Sequence, residues 1–172
     1  EEPAPIAITY RGFEVRQTPP NSMGFTLLQE LKIIECFDVA AMGFGTADHV
    51  HLLVEAKKRA FLDRERHAAD PHHYKAPMEK LLSAEHARAH AAKIDPERAA
   101  VLPVHLSPGG GDTTYFAVVD KSGNCVSAIQ SLNNAFGSGV TAGDTGILLN
   151  NRMAYWHLED GHPNRLKPGQ RV

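Results

Sequence analysis

The feature that most constrains this chain is the break at Ser107-Pro108-Gly109-Gly110-Gly111-Asp112. Consecutive glycines are costly to order, so neither a helix nor a strand is expected to run through them. The two sides of the break differ in character. Upstream, apolar residues recur at helical spacing. Downstream, Thr114 to Val119 and Val126 to Ser131 are β-rich runs joined by Lys121-Ser122-Gly123-Asn124, a strong hairpin signal. Helices first and a hairpin-led antiparallel sheet second define an α+β class rather than regular βαβ alternation.

The upstream half divides further. Ile6 to Gln17 alternates loosely and reads as one or two short strands. Thr18 to Ser22 is a turn that ends by offering a helix cap. The spacing predicts a helix to about Phe37, with Leu27, Leu28, Leu31 and Ile34 on one face. After Gly43-Phe44-Gly45, Thr46 caps a longer helix with Val50, Leu53, Val54 and Phe61 as its apolar face, dissolving near Asp70-Pro71. A third helix spans about Ser83 to Lys93, and Asp95-Pro96 ends it. Beyond the hairpin, Gly146-Ile147-Leu148-Leu149 reads as another short strand and the tail from Glu159 as a polar loop.

Charge and composition exclude more than they identify. Eighteen Lys and Arg against 20 Asp and Glu give a net charge of -2, with no electrostatic case for nucleic acid or an anionic membrane. No apolar run approaches the ~20 residues of a membrane span. Cys36 and Cys125 have neither CxxC spacing nor the number for a disulfide framework. Glu1 is not an initiator Met, and Arg171-Val172 follows a loop-like stretch, so the 172 residues read as an internal piece of a larger assembly. The lack of a signal peptide therefore says nothing about export.

Chemistry concentrates where the flexible segment meets the first β run. Cleavage after Asp112 would make Thr113 an N-terminus, and its α-amine could act as base for its own hydroxyl. Such an amine titrates at roughly 7.7 to 8.0, so it is partly neutral near pH 7. A turn centred between Ser122 and Gly123 sets Thr113 opposite Leu132, and a one-residue shift sets it opposite Ser131. Ser131 and Asn133 share a strand face. On residues alone, a hairpin with polar ends explains this pattern equally well.

Thr113 to Asn124 resembles the segment that opens the small subunit of γ-glutamyltransferases, members of the N-terminal-nucleophile hydrolases. Ser131-Leu132-Asn133-Asn134-Ala135-Phe136-Gly137-Ser138-Gly139 and Ala142 to Asn151 are similar to that family's next motifs. Gly43 to Asp48 and Glu55 to Phe61, with Asp63-Arg64, resemble the end of its large subunit. The resemblance implies an αββα sandwich, incomplete here, with residues 1–112 large-subunit-like and 113–172 small-subunit-like. It implies self-cleavage between Asp112 and Thr113 and continued association with the other segments of the precursor. It implies acyl transfer from a small-molecule amide donor, through a threonyl ester, to water or an amino acid or peptide acceptor, with no cofactor. Thr113 matches the nucleophile, Ser131 a threonine that hydrogen-bonds it, and Asn133 a contact to the acyl donor. The family's carboxylate-binding arginine would precede Glu1, and its paired serines and oxyanion-hole glycines would follow Val172, so the chain alone should not turn over. A periplasmic or extracellular location is implied, with a cytoplasmic one left open.

One stretch departs from the family pattern. Members acting on glutathione follow the paired asparagines with Gln-Met and, two positions on, an acid that holds the donor's α-ammonium. Here Arg152 replaces the Gln and Tyr155 the acid. Both are placed as substrate-binding positions, and they favour a donor without an α-ammonium, such as a glutaryl-type amide. Tyr155 and Trp156 either line an acyl pocket or form a buried aromatic corner.

Other readings fall away. Ten histidines raise the question of a metal. His86 and His90, four apart on a predicted helix, could share a zinc-binding face, but no third ligand has matching spacing and nothing resembles HExxH. Solvated histidines and no metal site are expected. Gly109 to Thr114 is not a P-loop, since it lacks the Lys and leads into a strand. Lys57 to Arg66 reads as a solvated helix face. Two functional classes remain: a self-processing amidohydrolase or acyltransferase, and a catalytically silent relative kept as a folded or binding unit.

Overall fold

The computed structural model describes residues 3–103 and 113–171. Asp112, and with it the proposed scissile bond, lies outside the described residues. Among those described, the chain divides into two compact units, residues 3–103 with 157–171, and residues 113–156.

The first unit opens with a hairpin, β1 (Ile6–Tyr10) antiparallel to β2 (Phe13–Gln17), with Tyr10 opposite Phe13. Its two-residue turn puts both Arg11 (φ 48°) and Gly12 (φ 85°) in the left-handed region, the geometry that matches strand twist in the tightest hairpins. The Arg11 amide donates to Glu35 Oε1 at 2.8 Å, which ties the turn to the end of the next helix.

Five helices follow: α1 (Gly24–Ile34), α2 (Val39–Met42), α3 (Ala47–His67), α4 (Met78–Leu81) and α5 (Ala84–Ala91). Phe25, Leu28 and Ile33 of α1 are fully buried with Leu52 of α3. Ile33 and Ile34 pack with Ala56 of α3 and Ala87 of α5, so α1 is the centre of the bundle. The small side chains of Ala56 and Ala60 lie wholly inside.

Several expectations are corrected here. The expected apolar face of α3 is not the buried one: Val50, Leu53 and Val54 are exposed, whereas Leu52, Glu55, Ala56, Arg59, Ala60 and Asp63 are buried. The buried stripe keeps helical spacing but carries three charged residues, so hydropathy points to the wrong side. Leu27 of α1 is also exposed, and Gln29 takes the buried position. Ser22 does not cap α1. Its hydroxyl accepts from Thr18 Oγ1 at 2.7 Å, and the cap position, Met23, makes no side-chain bond. Thr46 and Ser83 do cap α3 and α5, accepting from the His49 and His86 amides.

Burial of charge is compensated by pairing. Glu55 accepts from Lys58 Nζ (2.7 Å), Arg59 Nη1 (2.6 Å) and the Ala100 amide (3.1 Å). Burial pushes its carboxyl up, but these bonds outweigh it and bring it down to about 2. Asp70, also buried, holds the far end of the chain: Arg171 donates to it from Nη2 (3.0 Å) and from its amide (2.9 Å).

The second unit holds β3 (Thr113–Val119) and β4 (Cys125–Ser131), an antiparallel pair. Asp120 organises its turn, accepting from the Ser122 and Asn124 amides (2.8 and 2.9 Å) and from Asn124 Nδ2 (2.7 Å). The Asn124 side-chain bond, with these amides, holds the Asp120 carboxyl below the usual range. The strand expected at 146–149 is reduced to one isolated bridge, Thr141 to Leu148. The mixture of helices and small antiparallel sheets is α+β, as expected.

Candidate active site

The hairpin register brings the first candidates together. Thr113 pairs with Ser131, Tyr115 with Ile129 and Val119 with Cys125. This is the shifted register, one residue from the pairing with Leu132. Directly opposed residues on antiparallel strands face the same side. Thr113 Oγ1 accordingly donates to Ser131 Oγ at 3.1 Å.

The chain then turns sharply. Asn133 has φ 78°, a left-handed conformation that asparagine tolerates better than most residues. The turn aims its amide back at the strand end, where it donates to Ser131 Oγ at 3.0 Å. Ser131 Oγ is therefore a shared acceptor, for the Thr113 hydroxyl on one side and the Asn133 amide on the other.

A second layer holds Asn133. Its Nδ2 donates to Asn151 Oδ1 (3.0 Å), and the Asn134 amide donates to the same oxygen (3.2 Å). Its Oδ1 accepts from Tyr155 Oη at 2.6 Å. Tyr155 ends a short 3-10 turn, Arg152–Tyr155, and is half-buried. Asn151, which hydropathy and spacing do not single out, is thus the clamp of the site. Its amide also donates to Leu132 O at 3.2 Å. Of the expected residues, Thr113, Ser131, Asn133 and Tyr155 form one connected network. Arg152 is exposed and makes no ion pair among the described residues, Asp144 included.

Close backbone approach keeps the layers together. The Ser138 amide donates to Leu149 O at 2.9 Å. A Cβ on Gly137 would sit 2.2 Å from that same oxygen, so only glycine fits there.

The whole chain, residues 1–172, matches the profile of the family described as Gamma-glutamyltranspeptidase. The chain belongs to the gamma-glutamyltranspeptidase family. A glutathione hydrolase-like proenzyme of Bacillus subtilis (strain 168) is 46% identical over 169 residues, covering 98% of this chain and 32% of the relative. The glutathione hydrolase proenzyme of Escherichia coli (strain K12) is 40% identical, covering 95% and 29%. The crystal structure of cephalosporin acylase from Bacillus halodurans is 39% identical, with a TM-score of 0.81 over 98% of this chain and 30% of that one. The chain thus spans about a third of the length of the curated relatives it matches. No helix among the described residues is long and apolar enough to cross a membrane.

For this gamma-glutamyltranspeptidase member, one sequence reading outside the network needs correction. His86 and His90 are not simply solvated. They are half-buried, and each approaches Asp63 Oδ2, His86 Nε2 at 2.6 Å and His90 Nε2 at 3.3 Å. The third group absent from the local spacing comes from another helix, 23 residues upstream.

Proposed function

We propose that the protein carrying this chain is a self-processing amidohydrolase or acyltransferase. In it, Thr113 is the nucleophile, Ser131 its hydrogen-bonding partner and Asn133 a contact for the acyl donor. The observation that carries this reading is the 3.1 Å bond from Thr113 Oγ1 to Ser131 Oγ at the first residue of a strand.

In processing, Thr113 Oγ attacks the Asp112 carbonyl carbon. The C–N bond breaks as the ester C–O bond forms, and the hydroxyl proton passes to the new amine. Water then cleaves the ester, leaving an Asp112 carboxylate and a Thr113 with free hydroxyl and free α-amine. In turnover, that amine takes the hydroxyl proton as Oγ attacks the donor amide. The proton leaves with the departing amine. Water or an acceptor amine then attacks the threonyl ester and regenerates Thr113. Ser131 holds the resting Thr113 hydroxyl, and as the proton moves to the amine the Ser131 hydroxyl turns to donate to Thr113 Oγ.

Exposure supports a wider assembly. On one face of the hairpin Tyr115, Val119 and Ile129 are exposed, and on the other Phe116, Val118 and Val126. A ribbon apolar on both faces needs cover on both. That supports an αββα sandwich completed by the remaining segments of the precursor, which would also supply the carboxylate-binding arginine and the oxyanion hole. We place the protein in the periplasm or outside the cell, the cytoplasm being the alternative. The donor we assign is a carboxyacyl amide without an α-ammonium, because Tyr155 and Arg152 offer no negative charge.

Intact mass of the full-length protein tests the reading. Wild type and Thr114→Ala should yield two polypeptides broken before Thr113, and Thr113→Ala a single one that does not turn over. An uncleaved, inactive wild type would make the protein a silent relative. Normal processing of Thr113→Ala would move the nucleophile elsewhere.

A further inference from the structure

Three helices converge on a point outside the Thr113 network. Asp63 comes from α3, and His86 and His90 lie one turn apart on α5. Gln29 of α1 donates from Nε2 to Asp63 Oδ2 at 2.8 Å, the same oxygen that faces the two imidazoles. The two imidazoles meet edge to face, with centroids 4.5 Å apart and planes at 80°. Their Nε2 atoms are 3.0 Å apart. The triad is shielded, with side-chain exposures of 7% for Asp63, 18% for His86 and 13% for His90.

We propose that Asp63, His86 and His90 form a binding site for a divalent transition-metal cation, with Zn²⁺ the best match.

The spacing fits a common centre. Zinc holds imidazole nitrogen and carboxylate oxygen at roughly 2.0–2.2 Å, so neighbouring ligand atoms lie about 3.0 Å apart at a right angle and about 3.4 Å at the tetrahedral angle. The three separations here are 2.6, 3.0 and 3.3 Å. Small outward movements of the carboxylate and of His86 would open the shortest of them. Two neutral imidazoles with one carboxylate are a borderline-soft set that suits zinc and disfavours Mg²⁺ and Ca²⁺. Three protein ligands leave one position for water. Gln29 is an outer-shell group of the kind that orients a ligating carboxylate.

Hydrogen bonding alone accounts poorly for the triad. A proton on His86 Nε2 serves the short contact to Asp63 Oδ2. His90 Nε2 is then either a lone pair facing the same carboxylate oxygen or a second N–H that reaches that oxygen at 3.3 Å while crowded 3.0 Å from the first nitrogen. His90 Nδ1 is buried and has no hydrogen-bond partner among the described residues, so no acceptor behind the ring selects a tautomer. A cation removes the conflict at the front of the ring, because all three facing atoms then direct lone pairs at it. The sequence hides the site because Asp63 reaches the histidine pair only through the packing of α3 against α5.

The test uses the full-length protein, stripped with a chelator and titrated with Zn²⁺ and with Co²⁺. Wild type should bind one Zn²⁺ per chain and give the intense visible absorption of four-coordinate Co²⁺. His86→Ala and His90→Ala should each weaken Zn²⁺ binding at least tenfold, and His73→Ala, at an exposed histidine, should leave it unchanged. Circular dichroism of each variant checks folding. If the alanine variants do not fold, the Co²⁺ spectrum and the metal–nitrogen distances from X-ray absorption of the wild type decide alone. Zn²⁺ binding no tighter in wild type than in His86→Ala/His90→Ala, or only the weak spectrum of hydrated Co²⁺, would overturn the site.

Discussion

Tyr155 Oη donates to Asn133 Oδ1 at 2.6 Å, across 22 residues of chain. That bond joins the residue expected to touch the acyl donor to the position where an acid would hold the donor's ammonium. Asn133 is then held at three atoms: its amide by Ser131, its Nδ2 by Asn151 and its Oδ1 by Tyr155. Tyr155 is expected to act as a positioning residue. Tyr155→Phe removes one hydrogen bond of about 1 kcal/mol. We expect kcat/KM of the processed full-length enzyme to fall about fivefold to tenfold, with processing before Thr113 intact. Unchanged donor kinetics would remove Tyr155 from the site.

Asn151 should matter more. Its Oδ1 satisfies two donors, Asn133 Nδ2 and the Asn134 amide. Asn151→Ala leaves both without their acceptor, a cost of about 1–3 kcal/mol where they are shielded from water. Asn151→Asp keeps the acceptor, so it separates loss of that oxygen from any other change at the position. Kinetics should show Asn151→Ala below Tyr155→Phe in kcat/KM, and Asn151→Asp above Asn151→Ala.

The Ser131 hydroxyl is expected to set the reactivity of Thr113. Ser131→Ala deprives both the Thr113 hydroxyl and the Asn133 amide of a partner. Self-cleavage of the full-length precursor should slow about tenfold or more, followed by gel or mass over time. Ser131→Thr restores the oxygen and should process at close to the wild-type rate. Equal rates in Ser131→Ala and wild type would show that the hydroxyl pair is only a strand-end contact.

How far these sites are legible in sequence depends on what carries them. The Thr113–Ser131 pair is readable to within one residue, because a hairpin turn fixes register locally. The remaining residue of uncertainty is decided by Asp120, whose carboxylate caps the turn through Asn124 and Ser122 and centres the pairing on that geometry. The buried face of α3 is not readable from hydropathy. Val50, Leu53 and Val54 are the more apolar choice, yet Glu55, Arg59 and Asp63 go inside because partners from residues 29, 86, 93 and 100 satisfy them. Those partners are long-range, and no window along the chain contains them. The Asn133–Tyr155 and Asp63–His86 contacts are hidden for the same reason.

The buried Glu55 cluster gives the helical unit an acid-sensitive element. Its carboxyl titrates at about 2, against about 4.3 for a free glutamate. A depressed folded-state value means stability that is complete above about pH 4.3 and lost as pH falls towards 2. The difference corresponds to about 3 kcal/mol at neutral pH. Glu55→Gln leaves Lys58 and Arg59 without their shared counter-ion. Its melting temperature should lie well below wild type at pH 7, and the gap should narrow as pH falls from 4.3 towards 2. A gap constant over that range would mean that the Glu55 charge does not stabilise the fold.

The last prediction concerns the donor. The mature full-length enzyme should prefer an acyl group without an α-ammonium over a γ-glutamyl group. Tyr155 stands where the family pattern has an acid, and its hydroxyl is already donated to Asn133 Oδ1. It therefore offers an ammonium no charge, and it occupies an acceptor that an ammonium could otherwise use. A lost charged hydrogen bond is worth roughly 1.5 to 3 kcal/mol, or about tenfold to a hundredfold in discrimination. Arg152 adds little, because it is exposed and solvent screens its repulsion. The tyrosine therefore carries the expectation. The relatives do not decide it, since they include both glutathione hydrolase proenzymes and a cephalosporin acylase. Comparison of kcat/KM for a γ-glutamyl anilide and the matching glutaryl anilide does. The glutaryl substrate should win by tenfold or more, and Tyr155→Asp should move the ratio towards the γ-glutamyl substrate. A tenfold γ-glutamyl preference in wild type would mean that a carboxylate from elsewhere in the precursor rebuilds the ammonium site, and that Tyr155 only braces Asn133.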